Sequence, residues 1–376
     1  MIRCDVVIAG GGLIGGAIAV GLARAGAKVA IVDAGVAGRE ASWAGAGILS
    51  AAHESPEMHS LIPLSRVSLG LYPQFVEQIE KLAGQEVGFR PYGMLEVPAD
   101  GCASEELQKM VSVQHENGLK GEILTGDRAR EMEPGLSAGT KSAIFRPGDA
   151  SVDNRALTAA VLDAARALGV QILENTAAIS VLRDGSRAWG LATKKGNIEA
   201  KWTVIAAGCF SAAIQGAELY APVIPAKGQM LAVRCAAAAI RRVLMSEGVY
   251  LVARNDGRIL IGATIERVGF DRAVREDAIQ KLLAAAISLL PALKNCEVLE
   301  TWSGLRPDSP DHLPILGPTD IEGLRIATGH FRNGILLAPI TAQLICEWIQ
   351  NQRMSADYGR FRPMRFLEAR KSSVSN

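Results

Sequence analysis

The sequence predicts an α/β fold in which a parallel-sheet domain is combined with a second, α+β domain built on an antiparallel sheet. Three observations carry this. A strand, glycine turn, helix and strand fill the first 33 residues. Parallel-sheet texture returns between about 154 and 206, and again after 324. Between these lies a run of short strands with hairpin turn chemistry, from about Val223 to Gly304. Such interleaving implies two discontinuous domains with a site between them. The expected division is 1–80, 145–222 and 303–376 for the first domain, and 81–144 with 223–302 for the second.

The elements follow in order. Cys4–Ala9 is continuously apolar, as expected of a strand buried on both faces of a parallel sheet. Gly10–Gly12 turn the chain, and Leu13–Ala25 reads as a helix whose small residues permit close contact with a sheet. Gly26 is placed to end that helix, and Lys28–Val32 is a second strand closing on Asp33. Helical patterns recur over Leu64–Leu82 and Glu105–Asn117. Asn154–Leu168 reads as a helix, with Val170–Leu173 and Trp202–Ala206 as strands. From about Val223 the texture changes. Gln229–Val233, Val249–Arg254 and Arg258–Gly262 are short strands, the last two joined by Asn255-Asp256-Gly257, a strong hairpin signal. Asp277–Leu290 is an amphipathic helix stopped by Pro291, and Glu297–Gly304 is a strand. Leu324–Thr328 is again an apolar strand, Ile335–Ile349 a closing helix, and the tail from Arg370 is expected to fray.

Composition narrows the function. Forty Lys and Arg against 39 Asp and Glu leave no basic footprint for nucleic acid and no acidic surface for a basic partner. Six scattered cysteines without a C-x-x-C pair read as buried residues of a reducing, cytoplasmic compartment. His53 and His59 share no helix face and no H-E-x-x-H occurs, so no metal is expected. Val6–Ala23 is uncharged and superficially resembles a membrane span, but six of its 18 residues are glycine. A strand, a turn and a buried helix explain the same run, so no membrane partner is expected. A homo-oligomer is expected.

The glycines are the informative excess: 11 of the 39 lie in the first 50 residues. Gly10-Gly11-Gly12-Leu13-Ile14-Gly15 fits G-x-G-x-x-G, the fingerprint of a Rossmann-type unit. Gly10 permits the tight turn, Gly12 lets backbone approach a pyrophosphate, and Gly15 lets helix and strand pack closely. The N–H groups of Leu13 and Ile14 and the positive end of the helix dipole face the phosphates. Asp33, 23 residues after Gly10, can accept from ribose hydroxyls. This end alone leaves NAD and FAD open. Thr328-Gly329-His330-Phe331-Arg332-Asn333-Gly334 forms a second glycine-bearing turn between a strand and a helix, over 300 residues away. A cofactor touched at both ends of the chain must be long, which favours FAD.

Several segments carry a family resemblance. Val204-Ile205-Ala206-Ala207-Gly208-Cys209-Phe210-Ser211 resembles a strand-turn of the FAD domain in the D-amino-acid oxidase superfamily. Ala41-Ser42-Trp43-Ala44-Gly45-Ala46-Gly47-Ile48-Leu49 is similar to the stretch beside the flavin in its glycine oxidase branch. Pro225–Gln229, Trp302–Pro307 and Gly329–Ile335 are similar to that branch as well, in the same order from residue 4 to about 349. The resemblance is to the thiamine-pathway glycine oxidases.

It implies a Rossmann-type FAD domain, a substrate domain and noncovalent FAD. Besides Gly10, Gly12, Leu13, Ile14, Gly15 and Asp33, it places Ala41, Ser42, Ala46, Gly47, Ile48, Leu49, Ala207, Gly208, His330, Arg332, Asn333, Gly334 and Ile335 at the cofactor. Arg306 matches the family's carboxylate-binding arginine, Tyr250 a tyrosine whose hydroxyl meets the same carboxylate, and Arg332 a second arginine near the substrate. Lys227 maps onto no family lysine and reads as a strand-end residue. The implied reaction is oxidative deamination of glycine, sarcosine or small D-amino acids by hydride transfer to the flavin, with dioxygen reduced to hydrogen peroxide. No residue is expected to act as general acid or base. The imine would feed thiamine thiazole synthesis. A D-amino-acid dehydrogenase passing electrons to a quinone, or a dinucleotide-binding module without turnover, are the alternatives. Gly248, Ile265 and Ala342 depart from the family's pattern, the first two expected near the substrate and the last in helix packing.

Overall fold

The computed structural model describes residues 2–52, 56–98, 104–351 and 356–368. Two eight-stranded sheets organise it. In the first, Ile2–Ala9 lies parallel to Gly196–Ile205 on one side and to Val29–Val32 on the other. Gln171–Leu173 and Leu324–Thr328 extend the two sides in parallel, and Ile315–Pro318 closes an edge antiparallel.

Alternation along the central strand divides its side chains between two cores. Val6 and Ile8 pack with Leu13, Ile18, Val161 and Trp348 of the covering helices and with Leu337 just before the last of them. Val7 and Ala9 pack with Val181, Leu191 and Ile214 on the other side. All four strand residues are 1% exposed or less, which is why the strand reads as an uninterrupted apolar run.

The second sheet is ordered Glu297–Asp308, Ile224–Arg234, Arg258–Gly262, Val249–Ala253, Val243–Ser246, Met94–Glu96, Ser142–Arg146, Glu122–Thr125. Every pairing is antiparallel except Val243–Ser246 with Met94–Glu96. Helix Glu276–Leu289 buries Ile279, Leu282, Ala286 and Leu289 against Leu231, Val233, Leu251 and Ile261. The Asn255-Asp256-Gly257 hairpin forms as its chemistry demands: Gly257 takes φ +83°, and the Asp256 carboxylate accepts from the Arg258 amide.

Three differences from the sequence reading matter for the site. Glu297–Gly304 continues to Asp308, because its partner stays in register down to Ile224. Arg306 is therefore a strand residue, and the expected boundary at 302/303 falls inside a strand, as 144/145 falls inside Ser142–Arg146. The closing helix begins at Ala338, not Ile335, since Pro339 has no N–H to continue a ladder from Ile335. The hairpin of Ala178–Asp184 with Arg187–Thr193 was not anticipated.

The cysteines Cys4, Cys209, Cys235, Cys296 and Cys346 are free thiols, while Cys102, His53 and the tail from Arg370 lie outside the described residues. Among the described residues no helix is long and apolar enough to cross a membrane.

Candidate active site

One cavity of about 700 Å³ is lined by residues of both sheets. The first β-α turn forms part of its wall. Gly10 has φ +109°, and a side chain there would stand 2.3 Å from the Ala206 carbonyl oxygen, so only glycine fits. Gly12 caps the helix with no side chain, and Gly10, Gly12, Leu13 and Ile14 all line the cavity. Gly15 does not. Its missing Cβ would lie 2.0 Å from the Gly10 carbonyl oxygen, so it serves the close packing of helix on turn. Asp33 lines the cavity and accepts from the amides of Gly11 at 2.8 Å and Gly35 at 2.9 Å, one on each carboxylate oxygen. Each oxygen keeps a further acceptor position.

The loop after the second strand supplies Ala41, Ser42, Ala46, Gly47 and Ile48 to the wall. Leu49 corrects the sequence reading. It is fully buried in the helical core and pairs with Ala150, because alternation along Ile48–Leu49 turns one side chain to the cavity and the next away. Gly47, at φ +70°, would place a Cβ 1.9 Å from the Val152 carbonyl oxygen.

Ala207 and Gly208 line the cavity, as do His330, Arg332, Asn333, Gly334 and Ile335. His330 is buried with Nε2 3.0 Å from Thr341 Oγ1, and burial pushes its pKa down to about 3. It is a neutral wall residue at ordinary pH. Asn333 has a buried amide nitrogen with no partner among the described residues, an arrangement that a bound acceptor would satisfy.

Arg306 and Tyr250 come from strands of the second sheet that Ile224–Arg234 and Arg258–Gly262 separate, and both open onto the same cavity. Arg306 Nη1 donates to the carbonyls of Thr264 at 3.0 Å and Lys227 at 3.3 Å, which fixes the plane of the guanidinium. Burial lowers its pKa from the ordinary arginine range; nearby Tyr250 opposes this and Arg332 adds to it. Two glycines make room. A Cβ at Gly228 would come within 2.3 Å of both Arg306 terminal nitrogens, and one at Gly262 within 2.7 Å of the Tyr250 hydroxyl. Neither glycine carries any local signal of this role.

Ile265 lines the cavity, but Gly248 does not; it sits at φ +72° in the turn before Tyr250. Ala342 is buried in the helical core, as expected. Lys227 is no strand-end residue. It lies inside Ile224–Arg234, fully buried, with Nζ 2.9 Å from Asp271 and 3.7 Å from Glu266, and does not reach the cavity. Met230, Met245, Ala263 and Arg146 line the cavity unforeseen, because strand pairing alone brings them there.

Comparison with known proteins meets this geometry. Residues 5–348 match the DAO family of FAD-dependent oxidoreductases. The chain belongs to that family. FAD-dependent amine oxidation is the chemistry of its glycine oxidase branch, and the turn, the loop and the orphaned Asn333 donor fit such a cofactor. Glycine oxidase of Pseudomonas aeruginosa is 35% identical over 366 residues, which cover 95% of this chain and 98% of that protein. The bifunctional protein ThiO/ThiG of Trichormus variabilis is 37% identical over 96% of this chain, which spans 55% of the longer protein. The crystal structure of glycine oxidase from Geobacillus kaustophilus superimposes with a TM-score of 0.92 at 33% identity, covering 97% of this chain and 99% of that one. This DAO-family member thus shares sequence and architecture with glycine oxidases along nearly its whole length.

Proposed function

We propose that the protein oxidises glycine and other small amines, such as sarcosine and small D-amino acids, to the imine. The imine is hydrolysed to the oxo acid and ammonia, or methylamine in the case of sarcosine, and dioxygen is reduced to hydrogen peroxide. The observation that carries this is the opening of Arg306 and Tyr250 onto the same cavity as the Gly10–Ile14 turn. When bound, FAD supplies a two-electron acceptor that dioxygen can regenerate.

The chain's own part is positional. Gly10, Gly12 and the Ile14 amide would hold the pyrophosphate at a helix N-terminus, while the Leu13 amide donates to Ser42 Oγ at 2.9 Å and sets that hydroxyl beside it. Asp33 would take the ribose through its open acceptor positions. Ala41, Ser42, Ala46, Gly47 and Ile48, with Ala207, Gly208 and the segment His330–Ile335, would line the rest of the cofactor. Arg306 would grip the substrate carboxylate through the N–H groups its backbone bonds leave over, with Tyr250 and Arg332 beside it. Holding the carboxylate orients the Cα–H, and the amine lone pair drives hydride departure, so no protein base is required.

Likeness to proteins in which a counterpart of this chain is joined to ThiG supports a role for the imine in thiamine thiazole synthesis. A cytoplasmic, homo-oligomeric enzyme with noncovalent flavin completes the reading. Steady-state oxygen uptake with peroxide detection, run against glycine, sarcosine, D-alanine, D-proline and larger D-amino acids, tests it. Uptake with the small amines is expected. Reduction of an artificial dye without oxygen uptake would assign a dehydrogenase instead.

A further inference from the structure

We infer that Arg254 is a positioning residue for the flavin: from the second sheet it holds the 42–47 loop with its carbonyls turned outward, leaving consecutive backbone N–H groups for the cofactor. The inference rests on FAD binding and not on which amine is oxidised.

Five carbonyls of this loop are engaged from outside it. Asn154 Nδ2 donates to Ser42 O at 2.8 Å and Trp43 O at 3.1 Å. Trp302 Nε1 donates to Ala44 O at 3.0 Å, Arg254 Nη2 to Ala46 O at 2.9 Å, and the Val152 amide to Gly47 O at 2.9 Å. By contrast, among the described residues the amides of Ala46 and Gly47 meet no acceptor, and both residues line the cavity. Backbone donors are rarely left unpaired in a folded chain unless a ligand or water takes them.

Arg254 is central to the arrangement. It is 6% exposed, and the same Nη2 also donates to Asn154 Oδ1 at 2.8 Å. That second bond sets which way the Asn154 amide faces, so its Nδ2 points at Ser42 and Trp43. Nε lies 3.5 Å from Asp153, which fixes the guanidinium from behind. Nη1 is buried without a partner among the described residues, a cost a merely space-filling side chain would not carry. Arg254 directly follows strand Val249–Ala253, which bears Tyr250, so one stretch of chain serves the substrate groups and the flavin loop. A lysine, with a single compact head, cannot reproduce the planar fork.

The test titrates apo-protein with FAD, following quenching of tryptophan fluorescence, and records the visible spectrum of the bound flavin. Arg254→Met is expected to weaken FAD binding roughly 10-fold and alter the spectrum. Arg254→Lys should restore part of the affinity. In the loaded enzyme kcat should fall more than substrate KM changes. Arg258→Met, at a neighbouring arginine that also faces Asp153, should leave both readings as in the parent protein. Should Arg254→Met fail to fold, Asn154→Ala must move affinity and spectrum the same way. Parental affinity and spectrum in the folded variant, or equal losses in Arg258→Met, overturn the inference.

Discussion

Trp302 donates its indole N–H to the Ala44 carbonyl across 3.0 Å, and so ties the strand that carries Arg306 to the loop proposed beside the flavin. Two residues further on, a Cβ at Gly304 would lie 2.3 Å from that of Ala44, which shows how closely strand and loop approach. Trp302 also meets Trp43 edge-on at 6.1 Å, and Arg155 lies over both rings.

Trp302→Phe keeps much of the ring packing but strips the Ala44 carbonyl of its donor. A buried acceptor left unpaired costs about 1–3 kcal/mol. Thermal unfolding of the flavin-loaded protein should show a lower Tm. An unchanged Tm would mean that the strand and loop hold together without this bond.

Arg306→Lys tests the carboxylate grip. The substitution keeps the charge and loses the planar fork, which is not a conservative change at a bidentate site. Loss of a buried, charge-assisted contact of this kind costs about 2–5 kcal/mol. kcat/KM for glycine should therefore fall by roughly 30-fold or more, with FAD retained. A variant that loses FAD and keeps its substrate KM would place Arg306 at the wrong end of the cavity.

What was legible in the sequence follows from distance along the chain. The Gly10–Gly15 turn could be read because its strand, glycines and helix are adjacent, and each glycine answers a local steric demand. Leu49 is not legible as a core residue, because its neighbour Ile48 does face the cavity and a two-residue strand leaves no alternation to read. Trp302 and Arg254 were invisible as supports of the loop, since 258 and 208 residues separate them from Ala44 and Ala46. The burial of Lys227 is illegible for a related reason: its partners Asp271 and Glu266 belong to a segment that only folding brings to it.

Gly228→Ala and Gly262→Ala examine the room left for the two substrate groups. The added methyl meets the Arg306 terminal nitrogens at 2.3 Å in one case and the Tyr250 hydroxyl at 2.7 Å in the other. Something must shift, and the mobile parts are those two side chains. Substrate KM should rise several-fold in each variant while FAD affinity stays put. If KM does not move, neither side chain touches substrate in the position seen.

Asp149 gives the pH prediction. Its carboxyl is buried, and burial is the main cause that raises its pKa from 3.8 to about 6; Arg146 works against the rise, as do Ser50 and the Ala51 amide, while Glu96 adds to it. Among the described residues one carboxylate oxygen, Oδ2, has no hydrogen-bond partner. Between pH 3.8 and 6 the folded state binds more protons than the unfolded chain. Stability from this group is therefore present at low pH and lost as pH rises through that window. A rise of this size corresponds to roughly 3 kcal/mol. Asp149→Asn, neutral at every pH, should raise Tm at pH 8 and change it little at pH 4, so the variant's pH–Tm curve is displaced upward only on the alkaline side. A Tm lowered at pH 8 would show instead that the charged carboxylate is needed to balance Arg146, which already pairs with Glu96.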